Sequence, residues 1–144
     1  MLVGIGFDIH EHSENSELYL AGLKLEGVGF KAHSDGDIIV HSLIDALLGA
    51  AAYGDLGTYF PPNKESIKDI SSFVMLSTVT QKLKEDNYKI VNIDLTYVGQ
   101  IPKLISYRNE IRTNLSKALD IDLSLIHISE PTRRRGIGGC GVGV

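Results

Sequence analysis

The chain has 144 residues, of which 43% are apolar and 22% charged, and its 14 basic and 18 acidic residues give a net charge of −4. This composition is typical of a globular domain and excludes an intrinsically disordered chain. The acidic balance disfavours a nucleic-acid binder, no apolar run has the length of a membrane span, and a single cysteine excludes an internal disulfide framework. Because the N-terminus also lacks the features of a secretory signal, we expect a cytoplasmic protein with no nucleic-acid or membrane partner.

Strands and helices are predicted to alternate before residue 122. The hydrophobic patterns predict a buried strand at Leu2–Phe7, a strand or hairpin at Leu18–Leu25 turning at Gly22, a helix over 35–52 capped by Asp35, a loop over 57–64, a helix over 71–85, a strand over 88–98 and a helix over 106–119. We therefore expect an α+β fold, in which a single domain has a mixed β-sheet packed on one side by helices.

The composition changes abruptly after residue 122. The tail contains Cys140, three consecutive arginines at 133–135 and five glycines within 136–143. Residues 123–133, Leu-Ser-Leu-Ile-His-Ile-Ser-Glu-Pro-Thr-Arg, resemble a translated sequencing-library adapter. We therefore predict a C-terminally truncated domain at 1–122 and an artefactual tail at 123–144. The alternative is a flexible basic arm that binds phosphate or nucleic acid.

Asp8, His10 and His41 form a candidate metal site. Asp8 and His10 are two residues apart at the end of a predicted strand, so their side chains point to the same side. His41 lies in the first helix, and Asp45, four residues later, is the candidate partner that orients its ring. Two imidazoles, one carboxylate and an open position are the ligand set of a catalytic zinc ion. The alternatives are a chance Asp-x-His pair and a helix histidine that belongs to the core.

Three further segments have the composition of binding loops, and each has a purely structural alternative. Residues 33–37 precede the first helix and form either an anion seat or a helix cap. Residues 54–62 either return toward a substrate or form a plain turn. Lys103 follows the last predicted strand and is either a point charge for phosphate or a solvated side chain.

In combination these segments resemble the methylerythritol cyclodiphosphate synthase family over about residues 2–120. The resemblance is carried by Gly6-Phe7-Asp8-Ile9-His10, Ala32-His33-Ser34-Asp35-Gly36-Asp37 with His41, Asp45-Ala46-Leu47-Leu48-Gly49-Ala50-Ala51, Gly54-Asp55-Leu56-Gly57, Phe60-Pro61, Asn92-Ile93-Asp94 and Gln100-x-Pro102-Lys103. It implies a homotrimeric lyase of the non-mevalonate isoprenoid pathway with active sites between subunits. The implied reaction converts 4-CDP-2-C-methyl-D-erythritol 2-phosphate to 2-C-methyl-D-erythritol 2,4-cyclodiphosphate and releases CMP.

The same resemblance implies residue roles. It places zinc, or another divalent metal, at Asp8, His10 and His41, and it makes His33 the catalytic residue that stabilises the transition state. The substrate-binding positions that it implies are Asp8, Ile9, His10, His33, Ser34, Asp55, Leu56, Gly57, Phe60, Pro61, Pro62, Asn63, Lys64, Gly99, Gln100, Ile101, Pro102, Lys103, Leu104 and Ile105. Of these, 55–57 would hold the methylerythritol diol, and 99–105 would contact the cytidine from a neighbouring subunit.

The chain departs from the family pattern at its end. Family members carry a strand with Lys-Ala-Thr-Thr-x-Glu, whose threonines grip the diphosphate and whose glutamate binds magnesium. Here the corresponding stretch lies in the adapter-like run, where Ile126–Ile128 keeps the apolar pattern of a strand start and Pro131 interrupts it. Because the magnesium ligand is missing, we expect at most residual cyclase activity from this chain. The alternatives are a zinc phosphoesterase that uses the same three ligands and a non-catalytic, nucleotide-binding relative.

Overall fold

The structure, a computed structural model, describes residues 1–32, 34–61, 70–99 and 102–131. These residues contain six short strands and four helices. In chain order they are β1 (His12–Ser13), β2 (Leu18–Leu20), β3 (Leu23–Leu25), β4 (Gly29–Phe30), α1 (Ile38–Ala50), α2 (Leu56–Tyr59), α3 (Ser72–Glu85), β5 (Ile93–Thr96), α4 (Arg108–Leu119) and β6 (Ile126–Ser129), with 3-10 turns at Leu104–Ser106 and Leu123–Leu125. This mixture of elements confirms the predicted α+β class.

The strands pair two by two within the described residues, in both orientations. Strands β1 and β4 are antiparallel, β2 and β3 form an antiparallel hairpin, and β5 and β6 are parallel. The hairpin confirms the predicted turn at Gly22, because Ala21 and Gly22 both have positive φ (50° and 74°). Two such residues in a two-residue loop match the right-handed twist of the flanking strands.

Helix α1 is buried on most of its surface, and a carboxylate fixes its start. Asp37 caps the helix by accepting a hydrogen bond from the Val40 N–H at 3.1 Å. The predicted cap at Asp35 is therefore wrong, because the helix begins three residues later than residue 35. Asp35 instead accepts a hydrogen bond from the Ser72 N–H at the start of α3. Helix α1 is thus tied to α3 by a residue just outside its first turn.

The predicted strand at Leu2–Phe7 is wrong, because this segment pairs with no strand in the described part of the chain. Gly4 and Gly6 are buried against α1, where an added Cβ would overlap the carbonyl oxygens of Ala46 and Ser42. The side chains between the glycines therefore point away from the helix, and those of Val3, Ile5 and Phe7 are exposed. The two glycines bring the chain close enough to α1 for Asp8 and His10 to approach His41.

The later elements complete the core. Helices α3 and α4 begin within two residues of their predicted starts and end at the predicted residues. The strand predicted over 88–98 is shorter, at Ile93–Thr96, and a single helical turn, α2, occupies part of the loop predicted over 57–64. In the described ranges no helix is long and apolar enough to cross a membrane. The longest of them, α3, has 14 residues.

Strand β6 lies within the segment predicted to be an artefactual tail. Ile126 pairs with Ile93 and Ile128 with Leu95, and both isoleucine side chains are buried. This confirms that Ile126–Ile128 acts as the start of a strand. Any alternating apolar segment of suitable length can add to a strand edge, so the boundary at residue 122, which concerns the origin of the tail, stays a prediction. Residues 132–144 lie outside the described residues.

Candidate functional site

Asp8, His10 and His41 converge on one point. Asp8 and His10 follow the glycine-bearing segment that lies on α1, and His41 projects from the first turn of that helix. The Asp8 Oδ2 atom is 3.1 Å from His10 Nδ1 and 3.2 Å from His41 Nδ1. One ligand atom from each of the three residues lies within 4.8 Å of the others, which is close enough for all three to bind a single metal ion.

The hydrogen bonding of these atoms fits a metal. Asp8 Oδ2 and His10 Nδ1 are buried, and neither has a hydrogen-bond partner among the described residues. Buried polar atoms are rarely left unpaired, because each costs about 1–3 kcal/mol. Two ligands bound about 2.0–2.1 Å from a tetrahedral zinc ion are separated by roughly 3.3 Å, close to the separations of 3.1 and 3.2 Å. The donor set and its geometry therefore suit a small divalent cation.

The ring of His41 is contacted by two serines, of which Ser72 was not indicated by the sequence. Its Nε2 atom lies 2.8 Å from Ser72 Oγ and 3.2 Å from Ser34 Oγ. Asp45, predicted to orient this ring, instead accepts a hydrogen bond from the Leu56 N–H at 2.7 Å. The serines face Nε2 and Asp8 faces Nδ1, so the orienting role of Asp45 stays a prediction. Ser72 lies 31 positions along the chain, so no local spacing could have found it.

Asp45 and Asp55 instead shape the loop after α1. Asp45 binds the Leu56 N–H, and Asp55 caps α2 by accepting from the Thr58 N–H at 2.7 Å. Burial raises the pKa of Asp45, whereas the Thr58 N–H holds the pKa of Asp55 below its ordinary value. The segment 55–57 is therefore fixed to the end of α1, with the Asp55 carboxylate exposed and charged at neutral pH.

The segment before α1 acts as a cap and also approaches the metal site. Asp37 caps α1, and the Asp37 N–H donates to Asp35 Oδ1 at 3.2 Å. The helix cap that the sequence allowed for this segment is therefore present at Asp37, and the anion seat stays a prediction. Ser34 nevertheless reaches His41 Nε2, so its hydroxyl lies beside the proposed ligands. His33, the predicted catalytic residue, lies outside the described residues.

The remaining predicted binding positions differ in exposure, and some lie outside the described residues. Ile9 is exposed, and Phe60 is half-buried against Tyr59 with ring centroids 5.1 Å apart. Lys103 is exposed at the start of a 3-10 turn, whereas the Leu104 side chain is buried in the core and leaves only its backbone for a ligand. Predicted positions outside the described residues are Pro62, Asn63, Lys64, Gln100 and Ile101. Gly57, Pro61, Gly99, Pro102 and Ile105 lie within the described residues, and all are at least partly exposed.

The sequence and the fold both have close counterparts. Residues 1–144 match the model of the YgbB family. A relative from Clostridium acetobutylicum, named 2-C-methyl-D-erythritol 2,4-cyclodiphosphate synthase, is 43% identical over 144 residues, covering 99% of this chain and 92% of the relative. A relative of the same name from Clostridium botulinum is 40% identical over 142 residues, covering 98% and 91%.

Two solved structures share the fold. One, described as IspF from Plasmodium falciparum in a CDP complex, has a TM-score of 0.78 at 37% identity and covers 90% of this chain and 80% of its own. The other is described as 2C-methyl-D-erythritol-2,4-cyclodiphosphate synthase in a CDP-bound form. It has a TM-score of 0.84 at 32% identity and covers 89% and 86%.

Proposed function

Because the chain belongs to the YgbB family, we propose that it is a phosphorus–oxygen lyase that forms 2-C-methyl-D-erythritol 2,4-cyclodiphosphate from 4-CDP-2-C-methyl-D-erythritol 2-phosphate. The 2-phosphate oxygen attacks the β-phosphorus of the same molecule, and the bond to CMP breaks as CMP leaves. The observation that carries this proposal is the convergence of Asp8, His10 and His41, with two buried ligand atoms that have no hydrogen-bond partner in the part of the chain that the structure describes. The family resemblance supplies the substrate and the three ligands supply the site.

We propose zinc as the metal held by Asp8, His10 and His41. Two imidazoles and one carboxylate form a common catalytic zinc set that leaves a fourth position open. When bound, zinc supplies positive charge to phosphate oxygens. The resemblance places the family's magnesium-binding glutamate in the stretch that is Ile126–Thr132 here, where Glu130 does not stand at the position of that glutamate. We therefore propose that magnesium is held weakly and that this chain retains at most residual cyclase activity.

The chain's own residues contribute chiefly by positioning. An intramolecular attack gains from enforced proximity of its two phosphates, and the anionic transition state needs positive charge and hydrogen-bond donors more than a strong base. Ser34 lies next to His41 and can donate to a phosphate, and the exposed, charged Asp55 can accept from the diol of the substrate. The resemblance adds His33 as the group that stabilises the transition state and Lys103 as a contact for the nucleotide.

We further propose that the active unit is a homotrimer with sites between subunits. Its physical support is the N-terminal segment, where Val3, Ile5, Phe7 and Ile9 are between 65 and 76% exposed. Contiguous exposed apolar side chains of this kind mark a surface that another chain covers. A molar mass of about three chains by light scattering after gel filtration would support the assembly, and a monodisperse monomer would contradict it.

The test of the proposed site is zinc stoichiometry on the purified full chain. We expect about one zinc per chain, lost in His41→Ala and retained in His127→Ala, a matched control because His127 is exposed on β6. Absence of zinc from the folded wild-type protein would contradict the ligand assignment. Circular dichroism on the same samples separates loss of a ligand from loss of the fold.

Product analysis tests the reaction. Incubation with the CDP substrate should release CMP and cyclodiphosphate slowly, and faster once a family-type C-terminus replaces residues 123–144. Free phosphate without a cyclic product would favour the phosphoesterase alternative. Tight CDP binding with no turnover in the repaired chain would favour the non-catalytic relative. Equal CMP release by the original and repaired chains would contradict the proposed role of the tail.

A further inference from the structure

The Nε2 atom of His41 faces a buried series of hydrogen bonds that the proposed reaction does not use. Ser72 Oγ lies 2.8 Å from Nε2, and the Ser72 side chain is also hydrogen-bonded to Asp35 Oδ1. Both Ser72 and His41 are buried, at 0% and 4% exposure. Ser72 is the first residue of α3, so these hydrogen bonds join the N-terminus of α3 to the N-terminal part of α1 behind the proposed ligand His41.

The directions of these hydrogen bonds follow from the chemistry of the groups. An ionised carboxylate only accepts, so the Ser72 hydroxyl proton is donated to Asp35 Oδ1. The Ser72 oxygen is then left to accept, and its partner at 2.8 Å is His41 Nε2, which must carry a proton. A histidine binds a metal through a nitrogen lone pair, and a proton on Nε2 leaves that lone pair on Nδ1.

The other side of the ring agrees with this assignment. His41 Nδ1 lies 3.2 Å from Asp8 Oδ2, yet that oxygen accepts no hydrogen bond from any described residue. A ring nitrogen that carried a proton at this distance would be expected to donate it. The arrangement instead places a lone pair beside a carboxylate oxygen, as when both atoms bind the same cation.

Asp35 is also held in place. Its Oδ2 accepts from the Ser72 backbone N–H at 2.8 Å while Oδ1 receives the hydroxyl of the same residue. The carboxylate thus contacts Ser72 through two different donors, which fixes the hydroxyl oxygen in space. The Asp37 N–H adds a further bond to Oδ1 at 3.2 Å, so the carboxylate is anchored to the entry of α1 as well.

We propose that Ser72, supported by Asp35, is a positioning residue that fixes His41 as the Nε2–H tautomer and presents its Nδ1 lone pair to the metal. This inference rests on the proposed metal centre and deepens it. Partners that orient a metal-binding histidine in this way typically contribute about 10–100-fold to metal affinity. Ser34, at 3.2 Å from the same nitrogen, is the longer of the two contacts and has no carboxylate bound to its hydroxyl within the described residues.

The first experiment measures zinc affinity by competition with a chromophoric chelator on the full chain. Ser72→Ala should raise the zinc dissociation constant about 10–100-fold. Ser77→Ala is the matched control, because Ser77 lies exposed on the same helix and its hydroxyl donates to the Phe73 carbonyl. It should leave the dissociation constant unchanged. Asp35→Asn should weaken binding in the same direction, and the double variant should lose less than the two single effects added, because both act through one chain of hydrogen bonds.

A second experiment needs no variant and therefore does not depend on whether Ser72→Ala folds. Two-bond proton–nitrogen NMR on the histidine-labelled wild-type protein reports which ring nitrogen of His41 is protonated. The inference requires a protonated Nε2 before and after zinc is added. A protonated Nδ1 in the metal-free protein, or equal zinc affinity in Ser72→Ala and Ser77→Ala, would overturn it while leaving the metal centre intact. Failure of the folded wild-type protein to bind zinc would overturn the metal centre and this inference together.

Discussion

Replacing Asp37 should destabilise the fold more than replacing any exposed acidic residue. Its carboxylate is fully buried and accepts three backbone hydrogen bonds, from Ala21 and Gly22 in the β2–β3 turn and from Val40 in α1. Their donor–acceptor distances are 2.9, 2.7 and 3.1 Å. The single side chain therefore caps the helix that carries His41 and fastens the hairpin to its start.

The magnitude follows from what each substitution leaves unpaired. Asp37→Ala removes a helix cap, worth about 1 kcal/mol. It also leaves the buried Ala21 N–H without an acceptor, at about 1–3 kcal/mol, and the part-buried Gly22 N–H, at about 1 kcal/mol because water reaches it. The expected loss in the free energy of unfolding is therefore about 3–5 kcal/mol, a large part of the roughly 5–15 kcal/mol of a typical domain. Asp37→Asn keeps Oδ1 for Ala21 and Val40 but turns an amide toward the Gly22 N–H. It should lose about 1–3 kcal/mol.

Urea unfolding followed by circular dichroism measures these differences. Asp94→Ala is the matched control, because Asp94 is exposed on β5, and it should change stability by at most about 0.5 kcal/mol. The order of loss should be Asp37→Ala, then Asp37→Asn, then Asp94→Ala. A loss under about 1 kcal/mol for Asp37→Ala, at an unchanged denaturant slope, would refute the view that this carboxylate satisfies the three N–H groups.

Three further outcomes are expected. Gly6→Ala should abolish zinc binding while the helices persist by circular dichroism, because its Cβ would overlap the α1 backbone and push Asp8 away; retained stoichiometry would contradict this. Burial raises the pKa of Asp45 above 3.8, so ionising this carboxylate costs more in the folded state than in the unfolded state. The free energy of unfolding of the metal-free wild type, compared with that of Asp45→Asn, should therefore fall as the pH rises from below 3.8 toward neutrality. A rise would contradict the sign. Ile128→Ala should lose about 2–5 kcal/mol in urea unfolding, because its side chain is buried in the core, whereas His127→Ala should lose almost nothing.

The local parts of the site were predictable from the sequence, and the long-range parts were not. Asp8 and His10 are two residues apart in an extended segment, and His41 lies on a helix whose apolar period is clear, so spacing alone suggested that they meet. The contact of Ser72 with His41 spans 31 positions and depends on how α3 packs against α1. No periodicity in either helix encodes that contact, whereas the helical spacing of Asp45 from His41 points to Asp45 as a local candidate.

The N-terminal segment shows how the apolar pattern of a strand can arise in a segment that packs its glycines against a helix. Its apolar residues predicted a buried strand, yet Val3, Ile5 and Phe7 are exposed and the glycines between them are buried. The informative signal was the alternation of Gly4 and Gly6, because glycine at every second position marks a face that another backbone approaches closely. The face opposite the glycines carries the apolar side chains, and no described residue of the same chain covers it.

The carboxylates of this site show how a ligand differs from a structural anchor. Asp35, Asp37, Asp45 and Asp55 all stood near the candidate ligands in the sequence, and each accepts a hydrogen bond from a backbone N–H. Among the described acidic residues, Asp8 is the one with a buried oxygen that accepts none. An anchored carboxylate has its lone pairs directed at the backbone and can hold two elements together, but it has less left to offer a cation. The four anchors therefore set the positions of the hairpin, of α1, of α3 and of the loop after α1, and the carboxylate they leave unpartnered is the one placed to bind the metal.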